Sequence, residues 1–334
     1  MMTMFLGAGF SKWAAGLPLA SELFDFDIIP WGPRESRRLD DTKELKRLSD
    51  SSHPDGLAEQ FIANALHSNK RTASLVQWYI VRRLSEPFIW REWHAGMWRR
   101  HSLMIDEYRR FSLPAVEKAQ EFLVGYCSPV LAGIITTNYD MLVEYALGTK
   151  MFNYGLPNEG LRGRGAYPIS GPVVLSGNIP LSKLHGSVSW DVRWKYTEGR
   201  RGITGNALIV PPTHDKRLPE SLMRTQRLGE DILRNSTRMV VFGFAFNPYD
   251  QDTLTLLRTC GANVEAILLV NTPSSADSQI KAARNLWPRS EISFTAPPPD
   301  WTADVDAWGP HPRRSALRVM FQSQEGGKGP VARN

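Results

Sequence analysis

Short, almost entirely apolar segments recur along the chain and constrain its fold more than any other feature. Six of them have the length and composition of buried strands: Thr3–Leu6, Leu131–Thr136, Leu181–Leu184, Ala207–Val210, Met239–Phe242 and Ala266–Val270. A strand that is apolar throughout must be covered on both faces, which is typical of a parallel sheet. Segments with helical periodicity separate several of these strands: Tyr139–Leu147, Glu220–Leu233, Gln251–Thr259 and Ser275–Leu286. This alternation predicts an α/β fold with a Rossmann-like, doubly wound parallel sheet.

The rest of the 334-residue chain divides into an insertion, a long loop and a tail. A long stretch with few strand signals separates the first two strands and contains three amphipathic helix patterns: Leu57–His67, Thr72–Leu84 and Pro114–Tyr126. We interpret residues 30–128 as a large helical insertion in a domain that spans residues 1–296. Residues 148–180 are rich in glycine, proline and asparagine and are predicted to form a long loop. Proline, glycine and charged residues predominate in residues 297–334, which predicts a weakly ordered tail.

Composition limits the compartment and the metal chemistry. The cysteines are Cys127 and Cys260, too few for a disulfide framework or a four-cysteine zinc site. No segment has the roughly 20 consecutive apolar residues of a membrane-spanning helix, and the N-terminus lacks the pattern of a secretory leader. These features predict a cytoplasmic protein without zinc and without membrane attachment. The formal net charge of +6 suits a polyanionic ligand but does not identify one.

The first strand leads directly into the segment GAGFS, residues 7–11. Glycine lets a backbone approach a neighbouring group closely, and Ser11 is suited to cap a helix that continues from Lys12. A strand, a glycine-rich turn and a helix N-terminus together form a site for a phosphate group. The same pattern also occurs in strand–helix turns that bind no ligand, so a packing role remains open.

Polar or glycine-containing segments follow four other predicted strands. They are TTNYD at 136–140, the histidine–glycine pair of KLHGS at 183–187, GFAFNPYD at 243–250 and Asn271. Because the carboxyl ends of parallel strands share one edge of a sheet, we expect these segments and GAGFS to lie together. Ligands bind at that edge in open α/β sheets. The sequence therefore predicts one binding site formed by segments that are far apart along the chain.

In this order the segments resemble the motifs of the sirtuin-like SIR2 family. GAGFS resembles GAG-x-S, TTNYD resembles TQN-x-D, and KLHGS contains the histidine–glycine pair. Protein-deacylating sirtuins also carry a zinc module of two cysteine pairs, which two isolated cysteines cannot supply. Thr137 stands where the deacylases have glutamine. The segments are more similar to the prokaryotic SIR2 branch linked to phage defence, whose members hydrolyse NAD⁺ to nicotinamide and ADP-ribose.

The resemblance implies which residues bind NAD⁺. The backbone N–H groups of Gly7, Ala8 and Gly9 would contact the pyrophosphate, at the positive end of a helix that starts near Ser11. Thr137 belongs to the same binding set. Two further members, Gly243 and Asn271, would line the adenosine half of the dinucleotide.

The resemblance also implies a catalytic group of three residues. Asn138 would bind the ribose and orient the attacking water, and Asp140 would balance the ribosyl cation or hold Asn138. His185 would act as a general base, because an imidazole titrates near neutral pH. Each has a structural alternative: Asn138 and Asp140 are also suitable helix caps, and His185 could be a hydrogen-bonded core histidine.

The function implied by the resemblance is an NAD⁺ glycohydrolase that acts as the effector of an anti-phage, abortive-infection defence system. Two alternatives remain open: a non-catalytic sensor of NAD⁺ or ADP-ribose, and an NAD-dependent deacylase or ADP-ribosyltransferase. Acceptor-independent nicotinamide release would separate the glycohydrolase from both.

Control is expected to come from outside the catalytic domain, because unrestrained hydrolysis would deplete the host's NAD⁺. We expect a homo-oligomer and a regulatory protein partner, and the related defence systems suggest a HerA-like ATPase or a short Argonaute. The aromatic, arginine-rich segment Trp78–Arg110 is the candidate contact surface, since tryptophan and arginine are enriched at interfaces; equally, its tryptophans could pack within the insertion. Direct nucleic-acid binding is not expected.

Overall fold

The computed structural model describes residues 1–23, 58–69, 71–77, 113–126, 131–147, 152–154, 179–191, 207–211 and 222–297, with residues 45, 47, 79, 80 and 84. Its strands are β1 (Met2–Leu6), β2 (Leu131–Thr136), β3 (Phe152–Asn153), β4 (Ile179–Lys183), β5 (Gly186–Asp191), β6 (Ala207–Ile209), β7 (Arg238–Phe242), β8 (Ala266–Val270) and β9 (Glu291–Thr295). Its α-helices are α1 (Ala8–Ala15), α2 (Ala58–Ser68), α3 (Leu113–Tyr126), α4 (Leu142–Leu147), α5 (Met223–Arg234), α6 (Gln251–Cys260) and α7 (Ala276–Leu286). None of the helices in these ranges has the length and apolar character that a membrane crossing requires.

Seven of the strands form one parallel sheet in the order β3-β4-β2-β1-β7-β8-β9. The chain begins in the middle of the sheet at β1, extends to one side through β2 and β4, and then returns to place β7 on the other side of β1. The strand order therefore reverses between β1 and β7, as it does in doubly wound α/β sheets. This confirms the predicted fold class.

The register of the sheet brings the carboxyl ends of its central strands to one edge. Leu6, the last residue of β1, is paired with Thr136 of β2 and with Phe242 of β7. Thr136 is in turn paired with Lys183 of β4, and Phe242 with Val270 of β8. Each of these five residues ends its strand, so the segments that follow them leave the sheet side by side.

Helices cover both faces of the sheet, which explains why its strands are apolar throughout. Met4 and Leu6 pack in one core cluster with Phe10 of α1 and with side chains of α3 and α4. Phe5, which points to the other face, packs in a second cluster with Leu257 of α6 and with side chains of α5 and α7. Both sets of apolar side chains along β1 are thereby removed from water, the main favourable term in folding.

An aromatic cluster fixes α1 at the edge of the sheet. The Phe10 ring of α1 lies 5.4 Å from the Phe242 ring of β7 and 5.7 Å from the Phe122 ring of α3, measured between ring centroids. Trp13, one turn further along α1, lies 5.1 Å from Phe242. Such edge-to-face and tilted pairs are favourable beyond the area they bury. The N-terminus of α1 is consequently held beside the ends of β1 and β7.

One predicted strand belongs to a different sheet. The apolar run Ala207–Val210 was expected in the parallel sheet, but β6 pairs with β5 in a separate antiparallel pair, with Gly186 opposite Ile209. The short strand β3 begins inside the predicted loop 148–180, where no strand was expected. An apolar run indicates burial, but it does not specify the direction of the neighbouring strand.

The predicted domain boundaries stay predictions. Helices α2 and α3 lie within the predicted insertion, residues 30–128, and match the predicted patterns Leu57–His67 and Pro114–Tyr126 to within one residue at each end. Most of Trp78–Arg110 and all of the tail after Pro297 lie outside the described residues.

Candidate functional site

The segments predicted to form the site follow five adjacent strands at one edge of the sheet. In sheet order, His185 follows β4, Asn138 follows β2, Gly7 follows β1, Gly243 follows β7 and Asn271 follows β8. Neighbouring strands are about 4.8 Å apart, which puts Gly7 and His185, two strands away from each other, on the order of 10 Å apart. The predicted residues are therefore neighbours in the fold, although 264 positions separate Gly7 from Asn271 (271 − 7).

Helix α1 begins earlier than the sequence suggested. It starts at Ala8, with Gly7 as its N-cap residue in extended conformation. The prediction that Ser11 caps a helix from Lys12 is therefore wrong, because Ser11 lies inside the helix and is buried. The register of a glycine-rich turn depends on its contacts with other strands, which a local pattern does not contain.

The glycines of the GAG segment pack the β1–α1 turn against the turn after β7. The Gly7 N–H donates to the Phe242 carbonyl at 2.8 Å, and the Gly9 N–H donates to the Gly243 carbonyl at 2.9 Å. A Cβ atom on Gly7 would lie 2.5 Å from the Gly243 oxygen, and one on Gly9 would lie 2.6 Å from the Gly243 Cα. Both N–H groups are thus used within the protein in this structure, and the predicted pyrophosphate contacts of Gly7 and Gly9 stay predictions.

Ala8 differs from the two glycines on either side of it. It is exposed, and its backbone N–H stands at the first position of α1, where a helix supplies no acceptor. A helix N-terminus favours an anion through this N–H and the helix dipole. The pyrophosphate contact predicted for Ala8 is therefore compatible with the structure.

Gly243 shapes the same turn from the other side. It adopts a left-handed conformation with φ 66°, and its N–H donates to the Val270 carbonyl at 2.9 Å. A Cβ on Gly243 would lie 2.3 Å from the backbone nitrogen of Phe10. The position requires glycine for backbone reasons alone, so its predicted contact with adenosine stays a prediction.

The Asn138 side chain connects the turn after β2 to the GAG segment. Its Nδ2 donates to the Gly7 carbonyl at 2.9 Å and to the Ser11 hydroxyl at 2.8 Å, and the side chain is buried. This is neither the helix cap considered as the structural alternative nor a free ribose ligand. Because both hydrogens of the amide are used, a ribose contact from Asn138 in this arrangement would come from Oδ1 as an acceptor.

Asp140 makes the capping contact that was its structural alternative. The carboxylate oxygen Oδ1 accepts the backbone N–H of Leu142, the first residue of α4, at 2.9 Å. The whole residue is 5% exposed. Its direct participation in catalysis stays a prediction.

His185 is buried and contacts the opposite layer of helices from Asn138. Its Nε2 lies 3.3 Å from the hydroxyl of Thr253 on α6, a partner that sequence reasoning missed because α6 carries no motif. A cavity of about 10 Å³ adjoins the imidazole and is lined by Leu184, His185, Gln226, Asp250, Asp252, Thr253 and Leu256. Such a volume holds about one water molecule. His185 thus has the hydrogen bond of a core histidine and also borders a small cavity.

Two candidate segments, TTNYD and KLHGS, are tied to each other through Tyr139. Its backbone carbonyl accepts the Val188 N–H at 2.9 Å and the Ser187 hydroxyl at 3.3 Å. The Tyr139 hydroxyl donates to the Val210 carbonyl at 2.6 Å, and the Val210 N–H donates to the His185 carbonyl at 2.9 Å. A displacement of one segment would therefore disturb the other.

The two remaining predicted residues make local contacts. The Thr137 N–H donates to the Leu6 carbonyl at 3.2 Å, and its side chain is half-buried. The Asn271 Oδ1 accepts the Thr272 N–H at 2.8 Å at the end of β8. Their proposed contacts with NAD⁺ stay predictions.

In the part of the chain that the structure describes, no three histidine, cysteine, aspartate or glutamate side chains are grouped as a metal site would require. Cys260 is buried, and Cys127 lies outside the described residues. The expectation that the protein does without zinc remains a prediction.

Comparison with known proteins gives only distant similarity. No family model matches the chain, and no curated protein matches it significantly. Matching solved structures include one described as a structural basis for the mechanism and regulation of Sir2 enzymes, with 13% identity, TM-score 0.33, and coverage of 87% of this chain and 86% of that chain. Another is Sir2 with the inhibitor EX-527, 2′-O-acetyl-ADP-ribose and a deacetylated p53 peptide, with 15% identity, TM-score 0.32, and coverage of 97% and 94%. Similarity at these TM-scores assigns neither a family nor a function.

Proposed function

We propose that the protein hydrolyses NAD⁺ to nicotinamide and ADP-ribose. The observation that carries this proposal is the alignment of the motif residues at the ends of five adjacent parallel strands, with β1 and β7 at the reversal of strand order. In open α/β sheets, nucleotides bind in the crevice beside such a reversal. Motifs that resemble one family in chain order, and that also meet at this edge, fit a dinucleotide site better than a set of unrelated turns.

The reaction needs few protein groups. In NAD⁺ a cationic nicotinamide is bonded to ribose, so the leaving group departs as a neutral molecule when the C–N bond breaks. The attacking water forms a bond to the ribose carbon and gives its proton to the imidazole of His185. Asn138 would orient the ribose or the water through Oδ1, and the N-terminus of α1 at Ala8 would hold the pyrophosphate.

The two catalytic candidates, Asn138 and His185, each form a hydrogen bond to a helix in this structure, which supports regulated turnover. The Asn138 amide is hydrogen-bonded to Ser11 of α1, and the His185 imidazole is hydrogen-bonded to Thr253 of α6. We propose that a regulatory partner or self-assembly opens the site, in keeping with an effector of anti-phage defence. A HerA-like ATPase or a short Argonaute is the regulator that the motif resemblance suggests.

The hydrogen bonds that Asn138 and His185 already make also favour one competing function, a sensor that binds NAD⁺ or ADP-ribose without turnover. A sensor needs the sheet edge and the α1 N-terminus but has no need of a base, so satisfied polar groups at Asn138 and His185 would suit it. A deacylase or ADP-ribosyltransferase would use the same edge but would require an acyl peptide or an acceptor protein.

The deciding experiment is nicotinamide release from NAD⁺ by the full chain, measured alone and after co-expression with a candidate regulator. We expect stoichiometric nicotinamide and ADP-ribose without any acceptor. Saturable NAD⁺ binding with no release would support the sensor. Release that appears only with an acylated peptide or an acceptor protein would support the transferase class.

A further inference from the structure

A charged cluster is buried beneath the candidate site. The Lys183 ammonium lies 2.8 Å from Oε1 of Glu144, and the Tyr154 hydroxyl donates to the same oxygen at 2.8 Å. The lysine and glutamate side chains are 1% and 2% exposed. Lys183 ends β4, Glu144 belongs to α4 and Tyr154 follows β3, so the cluster joins three separate segments of the chain.

The ammonium of Lys183 also donates a hydrogen bond to the backbone carbonyl of Asp140. Lys183 precedes His185 by two residues, and Asp140 follows Asn138 by two residues. One side chain thus connects the strand that carries His185 directly to the turn that carries Asn138. Unlike the Tyr139 contacts, this connection is made by a charged donor that is removed from water.

Stability alone does not account for the cluster. Burying an ammonium and a carboxylate costs so much hydration that well-packed apolar residues in their place are often equally or more stable. The second carboxylate oxygen of Glu144, Oε2, is buried and has no hydrogen-bond partner among the described residues. An unsatisfied buried oxygen adds a further cost. The contact with Asp140 is the feature that an apolar replacement could not reproduce.

We infer that Lys183 is a positioning residue for the site, with Glu144 orienting its ammonium. The ammonium fixes the carbonyl of Asp140 and so sets the distance between the Asn138 turn and His185. This inference rests on the proposed function, because the positioned groups are the catalytic candidates of NAD⁺ hydrolysis.

The test separates positioning from stability with four forms of the full chain: wild type, Lys183→Met, Lys183→Met/Glu144→Gln, and Tyr154→Phe. Lys183→Met leaves an unpaired buried carboxylate and should lower the unfolding midpoint. The double variant removes both charges, keeps an acceptor for Tyr154, and should recover most of that midpoint. Tyr154→Phe is the matched control, because it removes a bond to the same carboxylate and leaves the Asp140 contact in place.

The kinetic result expected for the double variant is a kcat for nicotinamide release that stays about 10-fold to 100-fold below wild type, as a small misplacement of catalytic groups predicts. Its KM should remain within about threefold of wild type, and Tyr154→Phe should keep its kcat within about twofold. Three results overturn the inference. The first is a double variant whose kcat returns to the wild-type value together with its unfolding midpoint. The second is a kcat of Tyr154→Phe as low as that of the double variant. The third is a double variant with a lower unfolding midpoint than Lys183→Met.

Amide hydrogen exchange keeps this inference distinct from the proposed function. If Lys183 positions the turn, residues 138–142 should exchange about tenfold faster in the double variant than in wild type at matched global stability. A wild type that never releases nicotinamide would refute the hydrolase proposal, and the exchange rates would still decide the positioning role. Unchanged exchange in residues 138–142 would refute that role.

Discussion

The side-chain amide of Asn138 is hydrogen-bonded to the Ser11 hydroxyl at 2.8 Å, although the two residues are 127 positions apart. The bond joins the turn after β2 to the first helix, and the Gly7 carbonyl shares the same amide group. A residue that resembles a catalytic asparagine is therefore also part of the framework that holds α1. Substitutions at Asn138 must be judged on stability and on activity together.

Replacement of Asn138 by alanine should both destabilise the protein and abolish nicotinamide release. The change leaves the buried Gly7 carbonyl and the Ser11 hydroxyl without this donor, which predicts a loss of about 1–3 kcal/mol in the free energy of unfolding. Ser11→Ala is the matched control, because it removes one of the two bonds and should cost about 1 kcal/mol. Urea unfolding measures both variants. A stability of Asn138→Ala equal to wild type would contradict the bridging role.

Replacement of His185 by alanine should lower the rate of nicotinamide release by about 10²-fold to 10⁴-fold, the usual contribution of a general base. Binding of ADP-ribose, measured by calorimetry, should change far less. Thr253→Val removes the hydroxyl beside Nε2 and should lower the rate less than His185→Ala does, while Thr253→Ser keeps the hydroxyl and serves as its control. Equal rates for wild type and His185→Ala would eliminate His185 as the base.

Two glycines with similar positive φ angles should respond differently to substitution by alanine. Gly16 and Gly243 have φ angles of 69° and 66°. Alanine at either position should lower the free energy of unfolding by about 1–2 kcal/mol, because a Cβ atom strains the left-handed backbone. A Cβ on Gly16 meets nothing within 4 Å, whereas one on Gly243 would lie 2.3 Å from the Phe10 nitrogen. Gly243→Ala should therefore be clearly the more destabilising change in denaturant unfolding. Similar losses for the two variants would mean that the turns after β1 and β7 separate easily.

Charge reversal at Arg99 and Arg100 tests the expectation of assembly, which comes from the sequence alone because both residues lie outside the described residues. The double variant should elute later from a sizing column than wild type, with an unchanged circular dichroism spectrum. A wild-type chain that is monomeric at every concentration, binds no co-expressed regulator and is already fully active would refute regulated assembly.

The sheet could be predicted well because its signal is local. The run Ala266–Val270 was predicted with the bounds that the structure has, since a short, wholly apolar segment between helical patterns has few other ways to be buried. The edge strand β9, Glu291–Thr295, was missed because its side chains alternate in polarity and are only partly buried. The order of the motifs along the chain, taken as family resemblance, was enough to select the residues that lie together at the sheet edge.

Features that depend on only a few neighbouring residues could be predicted from the sequence. They are the small residues at positions 7 and 9 and the polar groups directly after the strands. What those groups contact depends on the folded chain. The Gly7 and Gly9 amides donate to the carbonyls of Phe242 and Gly243, and His185 lies within hydrogen-bond distance of Thr253. The sequence shows only that a lysine, Lys183, stands near the end of a strand. The tertiary structure buries this lysine against Glu144. The sequence does not reveal this partner, because strand order and helix packing across the whole chain determine which side chains meet.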